Sequence, residues 1–417
     1  MRYNTNIRDK LGRGVDMPLN YIDLFAGCGG LSLGLYNAGW HGLFAIEKNA
    51  DAFLTLSTNL IEKKKHYSWP NWLSKSSLDI YDVIESHSKE LKKMRGKVPL
   101  VVGGPPCQGF SMAGRRKPDD ARNELFAAYL DFIRLVQPDT LLFENVHGFT
   151  VAFTDQHGNK GDAYSKRITD ALQKEGYKTD SKLIDMSDYG IPQRRKRFIL
   201  VASKSFEPRN FFELLEKNRV SFLESINLTT PVTIEEAIGD LLMKNGTEDC
   251  PDFPEFKSGT YGEAISTYQK YMRTGVSDKI PNSHRFAKHK ESTIEIFEKL
   301  MEASEKTQRY TPKTFKGLKK RSVIVVKADT ICPTVTSIPD DLIHYSEPRI
   351  PTVREVARIQ SFPDWYEFKG KYTTGGDRRK IDVPRYTQVA NAVPPLFAEQ
   401  VGLVLQELIK DGGNTTL

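Results

Sequence analysis

"YIDLFAGCGGLSLGL", Tyr21 to Leu35, reads as a buried strand that breaks into a glycine-rich turn and resumes as a helix. Gly27, Gly29 and Gly30 allow a backbone approach to a ligand that a Cβ would block. A dinucleotide fingerprint would read G-x-G-x-x-G, but Ser32 holds the third glycine's place, and Asp23 and a bulky Phe25 precede the turn. The next apolar run, "GLFAIE", ends in Glu47, twenty residues past Gly27, where a carboxylate can take both hydroxyls of a ribose. This suits an adenosine nucleoside without a pyrophosphate. A tight strand–helix turn in any α/β protein would also fit these residues.

Outward from this unit, "PLVVGG", "TLLFEN" and "RFILVAS" look like further buried strands, and "AFLTLSTNLI" and "NELFAAYLDFIRLV" carry helical spacing. Such alternation predicts an α/β fold, a doubly wound parallel sheet with ligands at the carboxyl ends of its strands. After about Ser203 the rhythm becomes irregular. The expected division is a cofactor-binding domain over 1–204, completed by 386–417 with its helix in "NAVPPLFAEQVGLVLQELI" (391–409), and a smaller second domain over 205–385.

The longest apolar runs are far short of a membrane span, and the start, "MRYNTNIRDKLGRGVDMP", lacks the apolar core of a secretion signal. Four separated cysteines without a C-x-x-C pair argue against a structural zinc site and fit a reducing compartment, so a cytoplasmic protein without a metal is expected. The net charge of +7 permits nucleic-acid binding without demanding it. From Lys306 to Lys327 eight basic residues occur without one acid. A solvated basic face would look the same, but interleaved Tyr310 and Phe315 favour a nucleic-acid surface.

"GGPPCQGFS", Gly103 to Ser111, frames one thiol between prolines and a glycine just after "VPLVV". The prolines suppress helix, so Cys107 leaves the sheet pointed into the cleft. A thiol attacks as thiolate, which basic neighbours favour; Arg115, Arg116 and Lys117 follow, although these can equally hold phosphates. "LLFENV" brings Glu144 and Asn145 to another strand end, and in "YGIPQRRKRFILV" Arg195 and Arg197 alternate outward before a strand. Singly, each has a structural explanation: a packed cysteine, a turn, a charged surface. Four strand ends carrying a glycine turn, a framed thiol, a carboxylate and an arginine pair point to a catalytic cleft.

Through "DLFAGCGG", "GGPPCQGFS", "ENV", "QRRKRF", "REVARIQSFPD" and "QVANAV", in order, the chain resembles the cytosine-5 DNA methyltransferases, over nearly all its length except about 204–330. The resemblance implies a Rossmann-like methyltransferase domain with a target-recognition domain, S-adenosyl-L-methionine as donor and duplex DNA as partner. It implies Cys107 as nucleophile, Glu144 on the base N3, Arg197 on the base carbonyl and Arg195 nearby. Phe25, Gly27, Gly29, Gly30, Glu47, Asp79, Ile80, Pro105, Leu125, Asn391 and Ala392 would line the donor pocket. Asp79 follows Leu78 rather than the family's glycine, and the insert "EKKKHYSWPNWLSKSS" separates it from the second strand.

The chemistry explains these groups. Carbon 5 of cytosine is a poor nucleophile until a thiolate adds at carbon 6, and a carboxyl donating to N3 relieves the charge that develops. A stacked base must first be flipped out. The loop "GFSMAGRRKPDD" is expected to close over it, with Ser111 and Arg115 to Lys117 on phosphates. Arg354 and Glu355 are expected to organise the small domain instead of touching substrate. The resemblance further suggests a monomeric bacterial or phage modification enzyme, with a restriction endonuclease of the same target as its companion. Cytosine in tRNA is an alternative substrate; a non-catalytic binding protein and a nicotinamide-linked oxidoreductase fit the motifs less well.

Overall fold

The computed structural model describes residues 19–105, 122–154, 160–318, 320–374 and 382–413. The chain enters β1 (Asn20–Leu24), turns through the glycines into α1 (Gly30–Asn37) and returns as β2 (His41–Ile46). Helix α2 (Ala50–Leu56) runs on into a π-helical turn; α3 (Ile80–Lys93) precedes β3 (Leu100–Gly103), and α4 (Arg122–Val136) precedes β4 (Thr140–Val146). A small hairpin of β5 (Phe153–Thr154) and β6 (Lys160–Gly161), then α5 (Tyr164–Lys174), lead to β7 (Lys178–Asp185) and β8 (Lys196–Ser203). Six strands form one sheet in the order β2-β1-β3-β4-β8-β7. The chain moves one way from β1 to β2 and the other way through β3 and β4, which opens a crevice at the carboxyl ends of β1 and β3.

The sheet is not parallel throughout. Strands β1 to β4 pair in parallel, but β8 runs antiparallel to both β4 and β7. The reason is the link from Met186 to Arg195, which holds one 3-10 turn and no crossover helix, and a parallel return needs a crossover. Reversal sets the start of β8 beside the end of β4, with Val146 opposite Arg197. The polar edge strand β7 carries no apolar run, so nothing in its residues announced it.

The stretch after Ser203 is less irregular than its composition suggests. Helix α6 (Pro208–Ser225) packs on β7 and β8. There follow α7 (Ile234–Ile238), the hairpin β9 (Thr247–Cys250) and β10 (Phe253–Gly259), α8 (Thr267–Met272) and α9 (Glu291–Glu302). Strands β11 (Gln308–Tyr310), β12 (Val323–Val325) and β13 (Leu342–Ile343) make a small sheet whose core includes Phe297, Leu300, Tyr310, Val323 and Ile343. Tyr310 is therefore core, and it meets Phe315 edge-on at 5.9 Å. These two rings stabilise the lobe against each other instead of facing outward from the basic run.

Helices α10 (Val353–Ile359), α11 (Arg385–Asn391) and α12 (Pro395–Gly413) close the chain, and α12 packs across α1 and α6. Gly34 permits the α1 crossing, since a Cβ there would sit 2.5 Å from the Pro395 carbonyl. Arg354 and Glu355 on α10 are fully buried, Glu355 in a two-pronged pair with Arg349 at 2.7 Å on each arm. Among the described residues no helix is long and apolar enough to cross a membrane.

Candidate active site

The glycine turn divides its labour. At Gly27, φ is +57° and nothing lies within 4 Å of where a Cβ would be, so this face is open to a ligand. Gly29 and Gly30 serve packing: a Cβ would lie 2.8 Å from the Tyr366 hydroxyl at the first and 2.3 Å from the Val393 carbonyl at the second. Packing alone thus requires glycine at Gly29 and Gly30, while Gly27 leaves an open face. Phe25, half-buried, takes the strained φ of +59° that starts the turn. Below it the buried Asp23 carboxyl accepts the Ser32 hydroxyl and is pushed up to about 7, chiefly by burial.

Glu47 stands at the end of β2 and accepts the Gly27 N–H at 2.9 Å and the Asn49 N–H at 2.7 Å. Burial raises its carboxyl above the usual range against those donors. The insert folds back along β2, and the Leu78 N–H bonds to the Glu47 carbonyl at 2.8 Å. Asp79 therefore arrives beside the crevice despite the insert. It caps α3 through the Tyr81 N–H at 3.0 Å and pairs with Lys48 at 2.7 Å. Burial would raise its carboxyl, but Lys48 and the Tyr81 N–H outweigh that and hold it below the usual range. Ile80 is buried, Leu125 half-buried at the start of α4, Asn391 exposed and Ala392 half-buried. An open glycine face flanked by the Glu47 carboxylate at the end of β2 and the Asp79 carboxylate at the start of α3 fits an adenosine-type donor.

On the base side, Glu144 of β4 and Arg197 of β8 form a diagonal cross-strand pair, Nε to Oε1 at 3.1 Å. Burial pushes the Glu144 carboxyl up; Arg197 and Arg195 pull against it, and the net direction is upward. Asn145 faces the other way and donates to the Pro105 carbonyl at 3.1 Å, which fixes the chain two residues before Cys107. Gly103 and Gly104 make this crowding possible: a Cβ would lie 1.9 Å from the Leu24 carbonyl at one and 2.2 Å from the Glu144 carbonyl at the other. Their presence in "GGPP" was the signal for it. Cys107, Ser111, Arg115, Arg116 and Lys117 lie outside the described residues.

Arg195 does not face outward with Arg197. It is buried, and its Nη2 donates to the Ala390 carbonyl at 2.8 Å and the Ala392 carbonyl at 3.1 Å. The outward positions belong to Arg194 and Lys196, which with Arg197, His147, Asp185 and Thr334 border a cavity of about 550 Å³.

A carboxyl and an arginine at one end of a methyltransferase-like sheet narrow the choice of family, and sequence comparison decides it. The family model described as C-5 cytosine-specific DNA methylase matches residues 19–407. The chain belongs to this family. It is 33% identical over 395 residues to the Type II methyltransferase M.DdeI of Desulfomicrobium norvegicum, covering 91% of this chain and 87% of that protein. The Type II methyltransferase M.XorII of Xanthomonas oryzae is 29% identical, with 91% and 83% covered. Among solved structures, a putative DNA modification methyltransferase encoded within an Escherichia coli prophage superposes with a TM-score of 0.60 at 23% identity, covering 93% of this chain and 99% of that one. The cytosine-5 methylase is thus an enzyme of DNA methylation on a Rossmann-like fold whose central sheet is parallel through β1 to β4.

Proposed function

We propose that this methylase transfers a methyl group from S-adenosyl-L-methionine to carbon 5 of a cytosine flipped out of a specific duplex sequence, through a covalent bond from Cys107 to carbon 6. The observation that carries the reading is the joint placement of Glu144, Arg197 and the Pro105 carbonyl at one strand end. The donor, when bound, supplies an electrophilic methyl. Glu47 and Asp79 would hold its ribose and adenine, with Gly27, Phe25, Ile80, Pro105, Leu125, Asn391 and Ala392 around it.

On the chain's side, Cys107 adds to carbon 6 while Glu144 gives a proton to N3, so that charge does not accumulate on the ring. The raised Glu144 carboxyl suits a proton donor. The base entering between them takes Arg197 from Glu144 onto its own carbonyl. Loss of the carbon-5 proton after methylation then expels the thiol. Arg195 acts as a positioning residue for the 390–392 loop. Sequence choice belongs to residues 205–385, and Ser111 with Arg115 to Lys117 to phosphates beside the flipped base.

The enzyme would act as a monomer in a bacterial cytoplasm, beside a restriction endonuclease of the same target; the Type II names of its relatives support that pairing. The test is a duplex carrying 5-fluorocytosine at the target, found first by sequencing methylated cytosines in DNA from an expressing host. With donor present the wild type should form a denaturant-stable adduct and Cys107→Ala none. Methylation of tRNA in place of duplex DNA would overturn the substrate, and an adduct from Cys107→Ala would overturn the nucleophile.

A further inference from the structure

Three segments far apart in the chain meet at two buried carboxamides. Gln193 lies in the link before β8 and Gln360 at the end of α10; both are fully buried. The Gln193 oxygen accepts the Val335 N–H at 3.0 Å and approaches Arg195 Nη1 at 3.5 Å, while its Nε2 donates to Gln360 Oε1 at 2.9 Å. Gln360 Nε2 in turn donates to the Val389 carbonyl at 2.9 Å. The polarity of the chain is forced. Val335 offers only a donor to Gln193 and Val389 only an acceptor to Gln360, so the amides meet oxygen to nitrogen in one sense.

Backbone bonds join the same pieces. The Arg194 N–H bonds to the Cys332 carbonyl at 2.8 Å and the Cys332 N–H to the Pro192 carbonyl at 3.2 Å, so residues 332–335 lie alongside the link that leads into β8 and Arg197. Arg195, two residues from Gln193, closes the ring onto the Ala390 and Ala392 carbonyls. Residues 332–335 follow the basic run of the small lobe; 390–392 border the proposed donor pocket.

We propose that Gln193 and Gln360 are a positioning pair that sets segment 332–335, the link that leads into β8 and Arg197, and the 389–392 loop in one fixed relation, so that movement of the small lobe on DNA reaches the base-facing arginine and the donor pocket together. The inference rests on the reading of Arg197 as a base contact and of 390–392 as donor-lining. A pair of this kind touches neither base nor donor. Its value lies in geometry, where a misplacement of about 1 Å can cost roughly 100-fold in rate.

The experiment uses the full chain with Gln193→Leu, Gln360→Leu and the double variant, measuring kcat, KM for duplex DNA and the dissociation constant of S-adenosyl-L-methionine without DNA. Each single change should lower kcat by about 10- to 100-fold and weaken donor binding about 10-fold, with KM for DNA within about 3-fold of wild type. The double variant should be no worse than the worse single, because either break severs the same chain. Gln193→Glu, which keeps the acceptor for Val335 and loses the donor to Gln360, gives the same reading should leucine prevent folding. Effects that multiply, or wild-type turnover and donor affinity in the variants, would overturn the proposal. Glu47→Gln separates the two levels: if it weakens the donor while the glutamine variants do not, the pair alone fails. If Glu47→Gln binds the donor as wild type does, the pocket reading falls and takes the inference with it.

Discussion

Arg197 reaches Glu144 diagonally across two antiparallel strands, Nε to Oε1 at 3.1 Å, and the carboxyl it touches is nonetheless raised by burial. The two influences oppose each other, and burial wins. A raised carboxyl stays protonated to higher pH than an exposed glutamate, so the acid form needed at N3 is present at low pH and lost as pH rises through the site's own value. The rate of methyl transfer should therefore fall on the alkaline side. Removing the arginine removes a pull toward ionisation, so Arg197→Gln should move that falling limb to higher pH while weakening base binding. Glu144→Gln cannot yield a proton and should lower kcat by roughly 100- to 10,000-fold with duplex affinity little changed. The pH profile of kcat/KM, which reports the free enzyme where Arg197 still touches Glu144, checks the shift, and single-turnover rates check Glu144→Gln; a kcat/KM limb that stays put in Arg197→Gln would contradict the assignment.

The glycine turn predicts two different failures from similar changes. Gly30→Ala would drive a Cβ to 2.3 Å from the Val393 backbone carbonyl. Backbone cannot step aside cheaply, so a loss of about 1–3 kcal/mol of stability is expected, visible as a lower thermal midpoint. Gly27→Ala meets nothing within 4 Å but must hold φ at +57°, a strain of about 1–2 kcal/mol. Its Cβ projects into the open face, so donor titration should show the larger deficit there. Equal donor affinity in Gly27→Ala and wild type would mean that the open face is not the pocket.

Asn145 is the described residue that ties β4 to the thiol loop. Asn145→Ala loses its bond to the Pro105 carbonyl, worth about 1 kcal/mol in stability. The kinetic cost should be larger, about 10-fold or more in the rate of adduct formation with the fluorinated duplex, because the nucleophile's approach depends on that anchor. Donor affinity should change little. An unchanged adduct rate would show that other contacts position the loop.

Much of this site was legible because its groups end strands, and a strand end is visible as an apolar run followed by glycine, proline or charge. "DLFAGCGG", "GGPP" and "LLFENV" each announce a position at the carboxyl edge. What escaped reading is what depends on partners far along the chain. The reversed direction of β8 follows from the absence of a crossover before it, which "RFILVAS" itself does not record. Arg195 is turned inward by carbonyls nearly two hundred residues away, and Gly30 is required by Val393, farther still along the chain. Tyr310 and Phe315 looked like a stacking surface because a basic run says nothing about the core beneath it.

Arg358 of α10 grips two buried carboxylates at once: Asp240 at 2.8 and 3.0 Å and Asp364 at 2.7 Å through both Nε and Nη2. Asp364 also accepts the Tyr261 hydroxyl at 2.6 Å. Burial would raise the Asp364 carboxyl, but Arg358 and its neighbours hold it below the usual carboxylate range. Arg358→Met keeps volume and removes the charge, leaving both carboxylates buried and under-paired, at a cost of about 3–5 kcal/mol at neutral pH. The pH dependence has a definite sign. In the wild type a depressed carboxyl contributes stability above its unfolded value of about 4, and that contribution is lost as pH falls through the lower folded value. In the variant Asp364, no longer held down by Arg358, is pushed up by burial and gains from protonation as pH falls toward that unfolded value. The difference between the two proteins should therefore shrink between neutral pH and about pH 4. Urea denaturation at several pH values measures it, and a gap that stays constant would mean that Asp364 is not held ionised by Arg358.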